Sequence, residues 1–282
     1  MAEDVTPADW PGDKPTASRV YDRLVGGSHS FGVDREMAAD LLAVEPDAGF
    51  WAFQNRAFVG RALRWSLDAG VRQVLDIGAG IPDTAGAPHQ LTGGYQPAVR
   101  VVYVDHDPVA VASALFVAAE RERAGIGDVA ALDGDLLCPG EILAHPTVVN
   151  FCDLGRPVVL LLGAVLHFVS DADDPAGVIA VLRDAVAAGS VLVVSHASVP
   201  QEMSPEQVRV VREYSERTAP LTLRSRDQVA ELLAVFGEVA VPGVVKVADW
   251  RPDEEHLTER ERQRRNRIPG WVGVAVKSGV TW

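Results

Sequence analysis

From Val71 to about Ser198 the chain repeats one pattern: a short apolar run, a turn, and a helical segment before the next run. The apolar runs are "QVLDI", "RVVYVD", "DVAALDGD", "PVVLLLG" and "SVLVVSHAS". Strands that alternate with helices pair in parallel, because each helix returns the chain to its starting edge, and helices then cover both faces of the sheet. The fourth run lacks polar alternation, as a central strand buried on both faces requires. Two helices show clear punctuation. "DPVAVASALFVAAERERAG" offers Asp107 as N-cap, Pro108 at the first helical position and Gly125 as stop, and "DDPAGVIAVLRDAVAAG" repeats the same signals.

Downstream, "SPEQ" and "SRDQ" read as capping boxes opening helices at Ser204 and Ser225. The chain then shows two more strands, "EVAVPGVVKVADW" and "GWVGVAVK", separated by a charged insert. Upstream lie three helical segments. "TASRVYDRLVGG" is capped by Thr16 or Ser18 and ended by Gly26, "VDREMAADLLAVEP" stops before Pro46, and "DAGFWAFQNRAFVGRALRWSLDAG" runs from Asp47 to Gly70. The expected organisation is a disordered acidic leader over 1–15, a helical extension or lid over 16–70, and an α/β core over 71–282.

Composition narrows the function. A net charge of −13 over 282 residues repels a phosphate backbone and argues against a nucleic-acid partner. Cys138 and Cys152 form no CxxC pair, so neither a disulfide framework nor a thiolate metal site is expected. The start "MAEDVTPADWPGDKPT" is not a signal peptide, and the longest near-apolar run, "PVVLLLGAVLHFV", falls short of the ~20 residues of a membrane span. A cytoplasmic location without a membrane partner follows.

The turn after the first strand, "VLDIGAGIPD", is where an open α/β sheet holds a nucleotide. A dinucleotide fold wants Gly-x-Gly-x-x-Gly, with free N–H groups aimed at a pyrophosphate. Here Gly78 and Gly80 are present, but Asp83 occupies the third glycine position, Pro82 has no N–H, and Asp76 adds a second negative charge. Carboxylates beside a pyrophosphate repel it, which disfavours a nicotinamide-dependent oxidoreductase. They suit S-adenosylmethionine, whose ammonium Asp76 can receive while Gly78, Ala79 and Gly80 let the backbone approach the ligand. At the ends of the next strands Asp105 can accept ribose hydroxyls, His106 can flank the adenine, and Asp135 with the Leu136 N–H can read the adenine edge. Gly163 leaves room beside the methionine moiety.

"LDIGAG", "VVYVDHDP", "GDLL", "AVLHFV" and "GSVLVVSHAS", in this order, resemble the class I S-adenosylmethionine-dependent methyltransferases. "SRVYDRLVGGSHSFGVDRE", "NRAF" and "WRPD" resemble an actinobacterial methyltransferase family long filed as a domain of unknown function. The resemblance runs from about Ser18 to the C-terminus and implies a Rossmann-like sheet of seven strands, order 3-2-1-4-5-7-6, with the last strand antiparallel. The resemblance supplies no methyl acceptor; the expected activity is methyl transfer to a small-molecule O, N or C nucleophile, and the rival is a non-catalytic S-adenosylmethionine-binding regulator. A general base is needed only for a protonated hydroxyl or acidic carbon, and His167 and His29 are the candidates. Arg19 and Tyr21, with Asp22, are candidate lid contacts. Trp250 and Arg251, after a sixth strand that should end on the ligand rim, are candidate acceptor contacts.

Overall fold

The structure, a computed structural model, describes residues 12–83, 86–198, 203–252, 263–265 and 267–279. Most of the acidic leader and of the charged insert before "GWVGVAVK" therefore lies outside the described residues.

Five parallel strands form the body of the sheet: β1 (Gln73–Ile77), β2 (Arg100–Asp105), β3 (Val129–Asp133), β4 (Val159–Gly163) and β5 (Val191–Ala197). The remaining strands are β6 (Glu238–Val239), β7 (Val245–Lys246) and β8 (Gly270–Val276), giving the order β3-β2-β1-β4-β5-β8-β6 with β7 also on β8. β8 runs antiparallel to β5 over seven register pairs, from Val191↔Val276 to Ala197↔Gly270. The sheet thus has eight strands where seven are expected. The expected sixth strand is split, since Pro242 has no N–H to give a ladder and Gly243 turns the chain at φ +87°.

Alternate strand residues feed two separate cores. Leu75, Ile77, Val102, Val104, Leu160 and Leu162 face one layer, whereas Val74, Val101, Tyr103, Val159 and Leu161 face the other. The period of two along each strand, with both faces apolar, is what lets helices pack on both sides. The first layer includes α8 (Pro175–Ala185) and α10 (Arg226–Phe236); the second includes α3 (Ala48–Asp68) and α5 (Pro108–Arg123). Both expected capping boxes form: Ser204 and Gln207 open α9 (Pro205–Arg217), and Ser225 and Gln228 open α10. The short helices α4 (Pro88–Leu91), α6 (Pro139–Ala144) and α7 (Pro146–Phe151) each begin with proline at the first position, a start signal too brief to stand out in the sequence.

Two further helices, α1 (Ala17–Leu24) and α2 (Gly32–Val44), precede α3, and α1 is tied to the core through Asp107. Asp107 caps α5 by accepting the Val109 N–H at 2.9 Å, as its position before Pro108 suggests. It also accepts the Thr16 hydroxyl, the Ser18 hydroxyl at 2.5 Å and Arg19 Nη1 at 3.4 Å. Burial pushes the Asp107 carboxyl up, but these hydroxyls, the Val109 N–H and Arg19 outweigh it and hold the group below its ordinary value. Arg19 is 1% exposed and makes a second ion pair, Nε to Asp34 Oδ2 at 2.9 Å. Arg19 is accordingly a buried strut that ties the extension to the core.

Asp107→Ala should cost about 2–3 kcal/mol, more than the ~1 kcal/mol of a lost cap, because a buried guanidinium loses one of its two carboxylates. Chemical denaturation measures the loss. Limited proteolysis should show α1 becoming cleavable; a variant with parental stability would mean that the Thr16–Ser18–Arg19 contacts carry nothing. The sign with pH follows from the depressed carboxyl: this stabilisation is present above the unfolded aspartate value and fades as pH falls through the folded one.

Candidate functional site

The turn after β1 is shaped by two left-handed glycines, Gly78 at φ +70° and Gly80 at φ +63°. A Cβ on Gly78 would lie 2.4 Å from Val165 Cγ2, so that position excludes a side chain on both conformational and steric grounds. A Cβ on Gly80 would meet nothing within 4 Å, since it faces open space. The Gly78 and Ala79 N–H groups both donate to the Val104 carbonyl, at 2.9 and 3.1 Å, which ties the turn to the end of β2.

Asp105, the last residue of β2, holds the same turn from its other side. Its Oδ2 accepts the Gly80 N–H at 2.7 Å and its Oδ1 accepts the Asp107 N–H at 2.8 Å. Each oxygen keeps a lone pair for a ligand hydroxyl, since an ionised carboxylate has about four acceptor positions. Burial pushes the Asp105 carboxyl up despite these two N–H donors.

The turn opens into a cavity of about 700 Å³, within the range of small-molecule sites. Asp76, Gly78, Ala79, Gly80, Asp105, His106, Asp135, Leu136 and Gly163 all line it. The sheet therefore brings together every residue that the sequence suggests for the cofactor. Asp135 is steered by accepting the Leu137 N–H at 2.9 Å, and a Cβ on Gly163 would make only an ordinary 3.5 Å contact with Val59.

Asp76 is 8% exposed, and its carboxyl is pushed up to about 7 by burial and by the neighbouring Asp105, against an opposing pull from Arg56. Arg56 is the one Arg or Lys among the described lining residues, which also include six acids: Asp22, Glu45, Asp76, Asp105, Asp107 and Asp135. It sits over the Tyr21 ring at 5.7 Å. The Tyr21 hydroxyl donates to the Ala52 carbonyl at 2.9 Å and accepts Asn55 Nδ2 at 3.0 Å, so this lid candidate does line the cavity. Sequence reading passed over Arg56 and Asn55. Their signal was two strongly polar residues, the "NR" of "NRAF", between apolar residues of a long helix.

His167 lies on a 3₁₀ turn, 166–168, after β4 and lines the cavity. Its Nδ1 accepts the Ala197 N–H at 3.3 Å, which places the ring proton on Nε2. Burial, together with the charges of His196 and Arg224, lowers it to about 3. His196 is lowered to about 4, chiefly by burial, and accepts Arg224 Nη1 on Nε2 at 3.1 Å while its Nδ1–H donates to the Ala197 carbonyl at 2.7 Å. Both rings are neutral at physiological pH and feeble bases. His167 therefore carries a hydrogen-bond donor on Nε2, and its lowered basicity speaks against the general-base role that the sequence suggests.

Three other candidates stand elsewhere. His29 is outside the cavity lining; its N–H donates to Asp22 Oδ2 at 2.9 Å and its Nε2 lies 3.5 Å from Asp83 Oδ2, a clasp between the extension and the glycine turn. Trp250 is wholly buried, edge-on to Phe58 at 5.6 Å and Trp65 at 6.0 Å. Arg251 lies outside, bonded to the Val241 carbonyl and stacked over Trp65 at 4.8 Å. Neither lines the cavity. The split of the sixth strand explains why: Val247 and the returning Ile268 to Gly270 reach the rim, while the next turn rolls Trp250 into the core against α3. Among the described residues no group of His, Cys, Asp and Glu is arranged to hold a metal.

A model of a family of S-adenosyl methyltransferases matches residues 5–278. The chain belongs to that family. A Thermobifida fusca YX protein taken to be a methyltransferase shares 30% identity with this enzyme over 99% of this chain and 100% of its own, with a TM-score of 0.83. A DUF574 family protein from Streptomyces avermitilis MA-4680 shares 32% identity over 95% and 99%, with a TM-score of 0.82. None of the curated proteins compared matches the methyltransferase. No helix among its described residues is long and apolar enough to cross a membrane.

Proposed function

We propose that this methyltransferase binds S-adenosylmethionine along the carboxyl ends of β1 to β4 and methylates a small molecule held in the rest of the same cavity. The observation that carries the proposal is the pair of carboxylates on either side of the glycine turn, Asp76 buried and Asp105 half-buried, with Arg56 close enough to pull on Asp76. A zwitterionic amino-acid end joined to a nucleoside fits this set. Asp76 would take the ammonium and Arg56 the carboxylate, while Asp105 would accept ribose hydroxyls and Asp135 with Leu136 would hold the adenine. A pyrophosphate would meet repulsion from both acids. Bound there, the sulfonium supplies an activated methyl group. The protein's part is to orient the acceptor, keep water out and place the His167 Nε2–H beside the reacting atoms. Helices α1 and α2 would serve as the roof that closes the site.

Asp76 gives the proposal a pH signature. Burial and the neighbouring Asp105 push its carboxyl up to about 7, whereas holding an ammonium requires it ionised. Binding then releases a proton below that value, so affinity should fall as pH drops through 7, by about tenfold per unit once the free group is protonated. Calorimetry with S-adenosylmethionine between pH 6 and 8, in buffers of different ionisation enthalpy, reads both affinity and proton release. Flat affinity with no proton exchange would remove Asp76 from the ammonium site. Asp76→Asn should bind the cofactor poorly while melting a few degrees higher than the parent, because it deletes a buried acid held far above its ordinary value.

A further inference from the structure

We infer that the methyl acceptor is an apolar molecule carrying a basic nitrogen, and that this nitrogen receives the methyl group; the inference rests on the cofactor placement proposed above. The part of the cavity beyond the cofactor residues is walled by apolar side chains of α2, α3 and α9, among them Leu41, Val44, Trp51, Val211 and Tyr214. Its charges are one-sided. Asp22 is 1% exposed and its carboxyl packs against Gly27; among the described residues its Oδ2 accepts the His29 backbone N–H and its Oδ1 has no hydrogen-bond partner. Glu45 accepts the Asp47 N–H at 3.3 Å and Gln207 Nε2 at 3.2 Å, both neutral donors. Neither acid has an Arg or Lys ion-pair partner among the described residues. Asn55 Oδ1, whose amide nitrogen is occupied by Tyr21, is a second buried acceptor atom without a donor among the described residues.

An anionic acceptor would be desolvated against these acids with no cation left to receive it, since Arg56 serves the cofactor's carboxylate. An aliphatic hydroxyl acceptor would need a base; His167 and His196 are too weakly basic to act as one, and the carboxylates of Asp22 and Glu45 are far weaker bases than an alkoxide, better suited to holding a cation. An amine needs none in the transfer itself. After losing any extra proton to water, its lone pair forms the N–C bond as the S–C bond breaks and that electron pair stays on sulfur. Positive charge passes from sulfur to nitrogen, where the carboxylates of the wall stabilise it, and an N–H of the product amine then ionises to water.

The test uses the full-length protein saturated with S-adenosylhomocysteine and three probes of one shape at pH 7.5: 2-naphthylmethylamine, 2-naphthylmethanol and 2-naphthoate. Calorimetry should rank them in that order, with the amine at least tenfold tighter than the carboxylate. Asp22→Asn and Glu45→Gln, each checked for a parental melting curve, should shrink the amine-to-carboxylate ratio at least threefold, and Trp51→Ala should weaken the amine and the alcohol alike. Carboxylate binding equal to or tighter than amine binding, or no probe binding at all, overturns the inference and leaves the cofactor placement standing. Failure of S-adenosylhomocysteine to bind removes both.

Discussion

Trp250→Ala is expected to lose about 3–5 kcal/mol of stability while leaving cofactor affinity within about threefold at temperatures where the variant is folded. Trp250 is among the largest side chains that the structure buries completely. Its ring meets the edges of Phe58 and Trp65, and its carbonyl accepts Arg61 Nε at 2.9 Å. Truncation removes two aromatic contacts and leaves a hole between α3 and the sheet, so the loss of transfer energy and the cavity add. The neighbouring residue gives the contrast. Arg251 is exposed and held at φ +43°, a conformation that favours glycine, so Arg251→Ala should cost well under 1 kcal/mol and Arg251→Gly still less. Denaturation curves and cofactor titrations on the three variants decide the matter. Parental stability in Trp250→Ala, together with impaired methyl transfer, would return Trp250 to the acceptor side.

Asp105→Ala should weaken S-adenosylmethionine binding by about 100- to 1000-fold, the loss of two charge-assisted hydrogen bonds from ribose hydroxyls plus loosening of the turn that Asp105 holds. The two contributions separate in Asp105→Asn. An amide oxygen can still accept the Gly80 N–H now made at 2.7 Å, so the turn keeps its shape while the acceptor for the ribose is weakened; about tenfold is expected. The fold should tolerate both changes, because the Asp105 carboxyl is raised by burial and its removal relieves repulsion with Asp76. Equal affinity in parent and alanine variant, measured by calorimetry, would end the ribose assignment.

What the sequence disclosed, it disclosed through local rules. Parallel β1 to β5, the Asp-Pro starts and the two capping boxes depend on neighbours within a few positions, and so does the glycine turn. Strand topology then carries Asp76, Asp105, Asp135 and Gly163 to one rim without further information. What stayed hidden depends on distant partners. Asp107 looks like a cap because the cap is local, and its bonds to Thr16 and Ser18 cross about ninety residues of chain. His167 looks like a base until Ala197 occupies its Nδ1 and burial removes its basicity. Trp250 was placed by the direction of its strand, whereas Pro242 and Gly243 break that strand and change which way the following turn faces. Arg56 and Asn55 became visible only when α3 was laid against α1 and the end of β1.

The position of β8 shapes how the chain acquires its structure during synthesis. Of the described strands β8 is the last to leave the ribosome, yet it lies inside the sheet, between β5 and β6. Until residues 270–276 emerge, β5 presents Val191 to Val194 along an open edge, and β6 and β7, two residues each, have nothing to pair with. An unpaired apolar edge of that kind invites pairing with another chain. Nascent chains stalled before residue 270 should therefore associate with one another or with a chaperone, while chains extended through Val276 should not, and the insertion of one late strand seals the sheet and sets the Ile268 to Gly270 wall of the cavity in a single step.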